Sequence, residues 1–255
     1  MTAVRAEWTK LRSVRSTTWM LLALVGLTIA LGALSCSTSH TEGGSPGNGG
    51  DDDIVMFSLA GVYLAQVAAV AFGVLAICGE YATGTIRATF AANPRRREVI
   101  AVKTAIVGGV VLAAAAVTTV VAFYVGQAIL HTRGYTYANG YPAASLGDAD
   151  TLRKVALATA YLPILAVLSL GVATILRSTA AAISALLAVL FVPWIVGGLL
   201  LEGIGQTIEK ATPMVGIAAQ ERGAPIDPWV GFGVTAAWAV GALVVALWVV
   251  ARRDV

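Results

Sequence analysis

The chain has 255 residues, 58% aliphatic or aromatic and only 12% charged, with a mean hydropathy of +0.81 and a formal net charge of +3. A soluble globular chain carries roughly 45–50% apolar and about 25% charged residues, so a single water-facing fold around one core is excluded, and the slight basicity gives no footing for nucleic-acid binding. The two cysteines, Cys36 and Cys78, are too few for a four-ligand zinc site. They fall near opposite faces of the topology that follows, which excludes a disulfide between them.

In the first fifteen residues Val4, Trp8 and Leu11 share a helical face with the stem of Arg15, while Arg5, Lys10 and Arg12 point elsewhere. This predicts a helix over 1–15 lying in the membrane interface; a plain basic flank that sets topology is the competing reading. Six charge-free stretches follow, at Ser16 to Cys36, Ile54 to Gly79, Thr104 to Leu130, Val155 to Leu176, Ser178 to Leu201 and Pro228 to Ala251. Each reaches the ~20 residues that cross a ~30 Å hydrocarbon layer as a helix. The fold class predicted is therefore all-α and polytopic, one transmembrane domain over 1–255. Ala33-Leu34-Ser35-Cys36 faintly resembles a lipoprotein cleavage site, but the apolar run from Thr17 to Leu34 exceeds the ~7–15 residues of a signal core, so an uncleaved span is expected.

The connections are more individual. Residues 37–53 are rich in Gly, Ser and Asp and hold Glu42, Asp51, Asp52 and Asp53 without any Lys or Arg. Residues 80–103 form a long polar stretch in which Ile86 and Phe90 lie four apart, predicting a short helix that offers apolar side chains to a partner. Asn93-Pro94 then looks like an N-cap followed by proline at the first helical position. The fourth and fifth spans are separated only by Arg177 and Ser178, so they form a tight antiparallel hairpin or one long broken helix, and the hairpin is expected. Pro163 and Pro193 predict kinks inside them. In the 202–227 segment, Ile204, Ile208, Ala211 and Val215 recur at helical spacing.

Placing the N-terminus inside leaves only Arg133, Arg153, Lys154, Lys210 and Arg222 of the 17 Lys and Arg residues on the outside, as the positive-inside rule requires. Trp19, Trp229 and Trp248 fall near span ends as interfacial anchors. Trp194 and Trp238 lie deeper, as packing residues or cavity walls.

Catalytic apparatus is missing. A phosphate-binding Walker loop needs Gly before its Lys, but the four lysines follow Thr9, Val102, Arg153 and Glu209. There is neither a His-Glu-x-x-His nor a Gly-x-Ser-x-Gly pattern. Ion-coupled carriers leave ionisable groups inside their spans, and the six charge-free cores contain no Asp, Glu, Lys or Arg. The main polar residues at depth are Gln66, Gln127, Thr118, Thr119, Ser169, Thr174 and Ser184, a set suited to hydrogen bonding between helices.

The opening AEWTKLRSVRSTTW, the block GEYATGTIRATFAANPRRREVIAVK after the second span and the six-span layout resemble the permease subunit of the type-2 ABC exporter class, in its bacterial two-gene form. The resemblance implies that residues 1–15 are the connecting helix and that the stretch after the second span is the coupling helix docking into an ATPase. Glu80, Tyr81, Gly84, Thr85, Ile86, Arg87 and Phe90 inherit that role by position. It further implies a dimer with a second permease copy or a related permease, partnered by two ABC ATPase domains that carry ATP and Mg, with no cofactor on this chain. A location in the bacterial plasma membrane is implied as well. The second and fifth spans are the implied passage lining, making Tyr63, Gln66, Phe72, Leu187, Leu190 and Trp194 its wall candidates. Their apolar, uncharged character favours a hydrophobic or amphipathic cargo. Short helices in 202–227 would form an external lid, although a surface helix fits those residues equally well. A non-transporting sensor or scaffold of the same fold is the alternative from another class, and an ion-coupled secondary transporter is the other.

Overall fold

The computed structural model describes residues 15–39, 53–92, 96–136, 141, 144–197, 199, 202–221 and 223–252. The expected interfacial helix over 1–15 and the Asn93-Pro94 cap lie outside these residues, apart from Arg15. In chain order the helices are α1 (Arg15–Thr38), α2 (Ile54–Leu59), α3 (Val62–Ala82), α4 (Thr85–Ala92), α5 (Arg96–Thr132), α6 (Ala149–Leu176), α7 (Thr179–Gly197), α8 (Glu202–Lys210), α9 (Val215–Ala218) and α10 (Pro228–Arg252). No strand occurs among the described residues. Six segments are long and apolar enough to cross a membrane: α1, α2 with α3, α5, α6, α7 and α10.

Burial sorts the spans into two groups. Most of α3 and α6 is enclosed, whereas α1, α7 and α10 leave most of their surface outside the bundle. The two enclosed helices pack on each other; α1 lies against α3 and α5, α5 and α10 lie against α6, and α7 touches both central helices from the edge. Exposed side chains such as Leu22, Val117, Val192, Val240 and Val244 are apolar because their solvent is lipid. Between helices, where lipid gives no hydrophobic drive, close contact must come from small residues. Accordingly Gly73 abuts the Ala166 backbone and the Ser169 side chain, Gly171 abuts Ala242, and Gly32 and Gly126 both face Ser58.

The second span is broken at Ala60-Gly61, between α2 and α3. Gly61 lies so close to the Thr28 backbone of α1 that a Cβ there would overlap it. The chain recovers at once through Tyr63 N–H to Ala60 O (3.2 Å) and Ala65 N–H to Gly61 O (2.9 Å). The join of α6 and α7 is an antiparallel hairpin. Arg177 takes the left-handed conformation (φ 54) that stops α6, and Ser178 Oγ accepts from Ala181 N (3.4 Å) to start α7. Pro163 and Pro193 lie within α6 and α7.

Because a Cβ at position 61 meets backbone rather than a flexible side chain, Gly61→Ala is expected to cost about 1–3 kcal/mol. Gly26→Ala, with nothing within 4 Å of its added Cβ, is expected to be neutral or slightly stabilising. Thermal unfolding of the two purified variants in detergent checks this pair.

Candidate functional site

Two ends of the bundle carry chemistry, one holding α4 and the other holding α8 and α9. At the first, α3 stops at Thr83, and Gly84 adopts φ +70, a conformation that favours glycine. That residue turns the chain into α4. Thr83 and Thr85 share a hydroxyl contact of 2.9 Å, and the Thr89 hydroxyl donates to Thr85 O (3.1 Å). The expected short helix is present, but its expected use of Ile86 is not. Ile86 is 2% exposed and belongs to the main apolar core, which at this end also includes Ile77, Val99 and Ile100. The correction has a simple cause: once Gly84 reverses the chain, one face of α4 lies over the bundle, and burying Ile86 there costs nothing polar. The side chains of Arg87 and Phe90 lie outside the described ones.

Two polar ties bind the same corner. Lys103 Nζ of α5 meets Glu80 Oε1 of α3 at 2.9 Å, with the lysine side chain 3% exposed. Tyr81 lies under the Arg177 guanidinium, 5.4 Å from the ring centroid to Cζ. Such buried pairs add little net stability when intact, yet removing one partner strands a charge. Ile86 thus seats α4 on the core, while Glu80 and Tyr81 tie the end of α3 to α5 and to the α6–α7 hairpin.

At the opposite end, Asp53 does two things. Its Oδ1 caps α2 by accepting from Met56 N (3.2 Å), and its Oδ2 pairs with Lys154 Nζ of α6 (2.5 Å). Asp150 also reaches Lys154 (3.2 Å) and pairs with Arg153. The second span is therefore clamped by a buried carboxylate–lysine pair at each end, to α6 on one side of the membrane and to α5 on the other.

The 202–227 segment folds back onto this end. The Thr235 hydroxyl donates to Pro213 O (2.7 Å), and Trp238 Nε1 donates to Ala211 O (2.9 Å). Trp238 lies ten residues along α10 from Pro228, about 15 Å at 1.5 Å per residue. The segment thus descends beside the spans, where irregular backbone is tolerated only if protein satisfies it. Thr212 to Ile217 are all buried, and α9 rests on Tyr161, against whose ring Gly216 packs. Beneath it runs a polar chain: Tyr63 OH donates to Glu221 Oε1 (2.5 Å), Gln66 Nε2 to Tyr63 O (2.8 Å), and Tyr161 OH to Gln66 Oε1 (2.5 Å). A cavity of about 270 Å³ lies beside α8 and α9, lined among others by Trp194, Glu209, Lys210, Met214, Glu221 and Ile226.

Of the expected passage residues, Gln66, Phe72 and Leu190 are turned into the protomer's own core. They hold helices together here rather than presenting a wall, because α3 is enclosed on most of its circumference. Tyr63 and Leu187 are half-buried, and Trp194 is exposed and faces the cavity. Of the polar residues read as interhelical, Gln66 reaches Tyr161, Gln127 reaches Ser58 (3.2 Å) and Thr119 reaches Thr159 (2.6 Å). Thr118, Ser169 and Thr174 bond to carbonyls of their own helices. Sequence reasoning passed over Tyr161, Glu221 and the Asp53–Lys154 pair. For the charged groups the only available signal was charge set near a span boundary, which looks the same whether the group is solvated or paired.

This constellation defines a polytopic α-helical membrane protein with a short helix mechanically tied to its bundle at one end and a descending segment at the other. The chain belongs to the ABC-2 family transporter proteins, whose family model matches residues 10–255. It is thus a permease of the ABC transporter class, a family that implies pairing with ABC ATPase subunits. No curated protein and no solved structure matches the chain.

Asp53→Asn keeps the cap acceptor but leaves Lys154 only the more exposed Asp150, whereas Lys154→Met leaves the Asp53 carboxylate buried without a counter-charge. Lys154→Met is expected to cost about 3–5 kcal/mol, Asp53→Asn less, and the double change less than their sum. A double-mutant cycle on thermal unfolding reads the coupling directly.

Proposed function

We propose that this chain is the membrane subunit of an ATP-driven exporter, working as a pair with a second permease and powered by two ATPase subunits that hold ATP and Mg. Both termini and α4 lie in the cytoplasm and α8–α9 on the outside, in keeping with the Lys and Arg distribution. The observation that carries the reading is the mechanical tie of α4. A helix docked on an ATPase transmits work only if it is anchored to the spans, and Ile86 with the Glu80–Lys103 pair supplies that anchor. The passage runs between two permeases, along the faces that one protomer leaves open. On α7 these include Ser184, Val192 and Ile195, with Trp194 beside them; on α3 they include Leu64. Such walls suit a hydrophobic or amphipathic cargo moved by alternating access. A cysteine placed between Gly43 and Gly50 is labelled from outside in this arrangement.

The coupling roles of Ile86 and Phe90 then separate. Phe90→Ala is expected to weaken ATPase retention by about 2 kcal/mol or more, as for a buried aromatic anchor. Ile86→Ala, a core deletion costing about 2–4 kcal/mol of bundle stability, leaves docking nearer normal and lowers cargo-coupled ATP turnover. Co-purification and ATPase assays in lipid measure both. Full retention and turnover in both variants would remove α4 from the mechanism and with it the basis of the proposal.

A further inference from the structure

The cavity beside α8 and α9 has a lining unlike the rest of the membrane domain. Trp194, at the end of α7, is 54% exposed and contributes a wall, with Met214 and Ile226 as apolar neighbours. Among the described residues, Glu209, Glu221 and Lys210 are the charged lining groups, two carboxylates against one ammonium. Glu209 leans on the α7 backbone at Gly197, where a Cβ would displace its carboxylate; position 197 is one helical turn from Trp194, so carboxylate and indole share one side of α7. Among the described residues no ion pair engages Glu209 or Lys210, and Glu221 accepts the Tyr63 hydroxyl.

We propose that this cavity binds an organic cation with an aromatic or aliphatic body. An ammonium meets the Glu209 and Glu221 carboxylates while its body covers the Trp194 face, which attracts cations through its π quadrupole. Among the described residues, an anion of the same shape gains only Lys210 and faces both carboxylates. The volume, about 270 Å³, falls just below the roughly 300–1,000 Å³ usual for small-molecule sites, and so suits one small ring with its charged head. Tyr63 connects occupancy to the core: its hydroxyl holds Glu221, and its carbonyl holds Gln66, the partner of Tyr161. This inference deepens the exporter reading by naming a ligand class, and rests on it only for the side of the membrane the cavity faces.

The test uses the purified full-length chain in lipid nanodiscs without any ATPase, so that its failure is separate from failure of α4 docking. Benzyltrimethylammonium is titrated calorimetrically, with benzylsulfonate as the anionic counterpart. Expected is saturable binding of the cation alone, weakened about tenfold or more by Glu209→Gln or by Trp194→Leu and retained by Trp194→Phe. Lys210→Gln, which removes the opposing charge, is expected to tighten binding. Elution profile and thermal midpoint confirm that each variant is folded; should Glu209→Gln not fold, Lys210→Gln and Trp194→Leu decide. Absence of saturable binding, equal binding of benzylsulfonate, or affinities unmoved by Glu209→Gln, Trp194→Leu and Lys210→Gln would each overturn the assignment.

Discussion

Inside a hydrocarbon layer every backbone and side-chain polar group must find its partner within the protein, and this requirement shapes each unusual feature of the bundle. Regular helices satisfy it for most of the chain. The 211–213 stretch leaves helical geometry beside the spans, and there the carbonyls of Ala211 and Pro213 are taken by Trp238 and Thr235. Tyr161, fully enclosed in α6, gives its hydroxyl hydrogen to Gln66. Lysines bordering the spans, Lys103 and Lys154, are buried against carboxylates rather than left to lipid.

The same requirement gives α3 its mechanical position. Its carboxyl-terminal end is held to α5 through Glu80 and to the α6–α7 hairpin through Tyr81, and α4 hangs directly from it. Its amino-terminal end is held to the descending segment through Tyr63, and α2, just before it, is held to α6 through Asp53. The central helix therefore touches both ends of the protein through strong, discrete ties. A helix enclosed on most sides cannot slide smoothly, since close packing resists continuous deformation. In the proposed mechanism, motion of α4 would pass to α3 as a shift against its neighbours; the span is already broken where Gly61 approaches Thr28.

The buried position of Ile86 changes what the α4 corner can do. An apolar pair four residues apart looks like a two-point plug for a partner, but the turn at Gly84 gives one of the two to the bundle. A helix with one face committed inward and another facing away is better suited to transmitting force than a helix free on both faces. This is why the tie at Ile86, rather than any exposed apolar stripe, supports the coupling role.

What the sequence determined by itself was the solvent of the chain and the number of its spans. Six charge-free stretches of spanning length leave a helical bundle as the available solution, because lipid cannot hydrogen-bond the backbone. The helical character of the stretch after Gly84 was legible from the Ile86 and Phe90 spacing, and interhelical bonds were legible from Gln66 and Gln127. Only the tertiary structure decided which face of each span turns inward. Apolar residues are equally at home against lipid and against another helix, so periodicity carries no burial signal here. Phe72 and Leu190 thus became core, Trp194 became cavity wall, and α3 and α6 became central although their compositions match those of the outer spans. The structure also decided which boundary charges are solvated and which are paired. That depends on whether another span delivers an opposite charge within about 3 Å, a distance the linear chain does not contain.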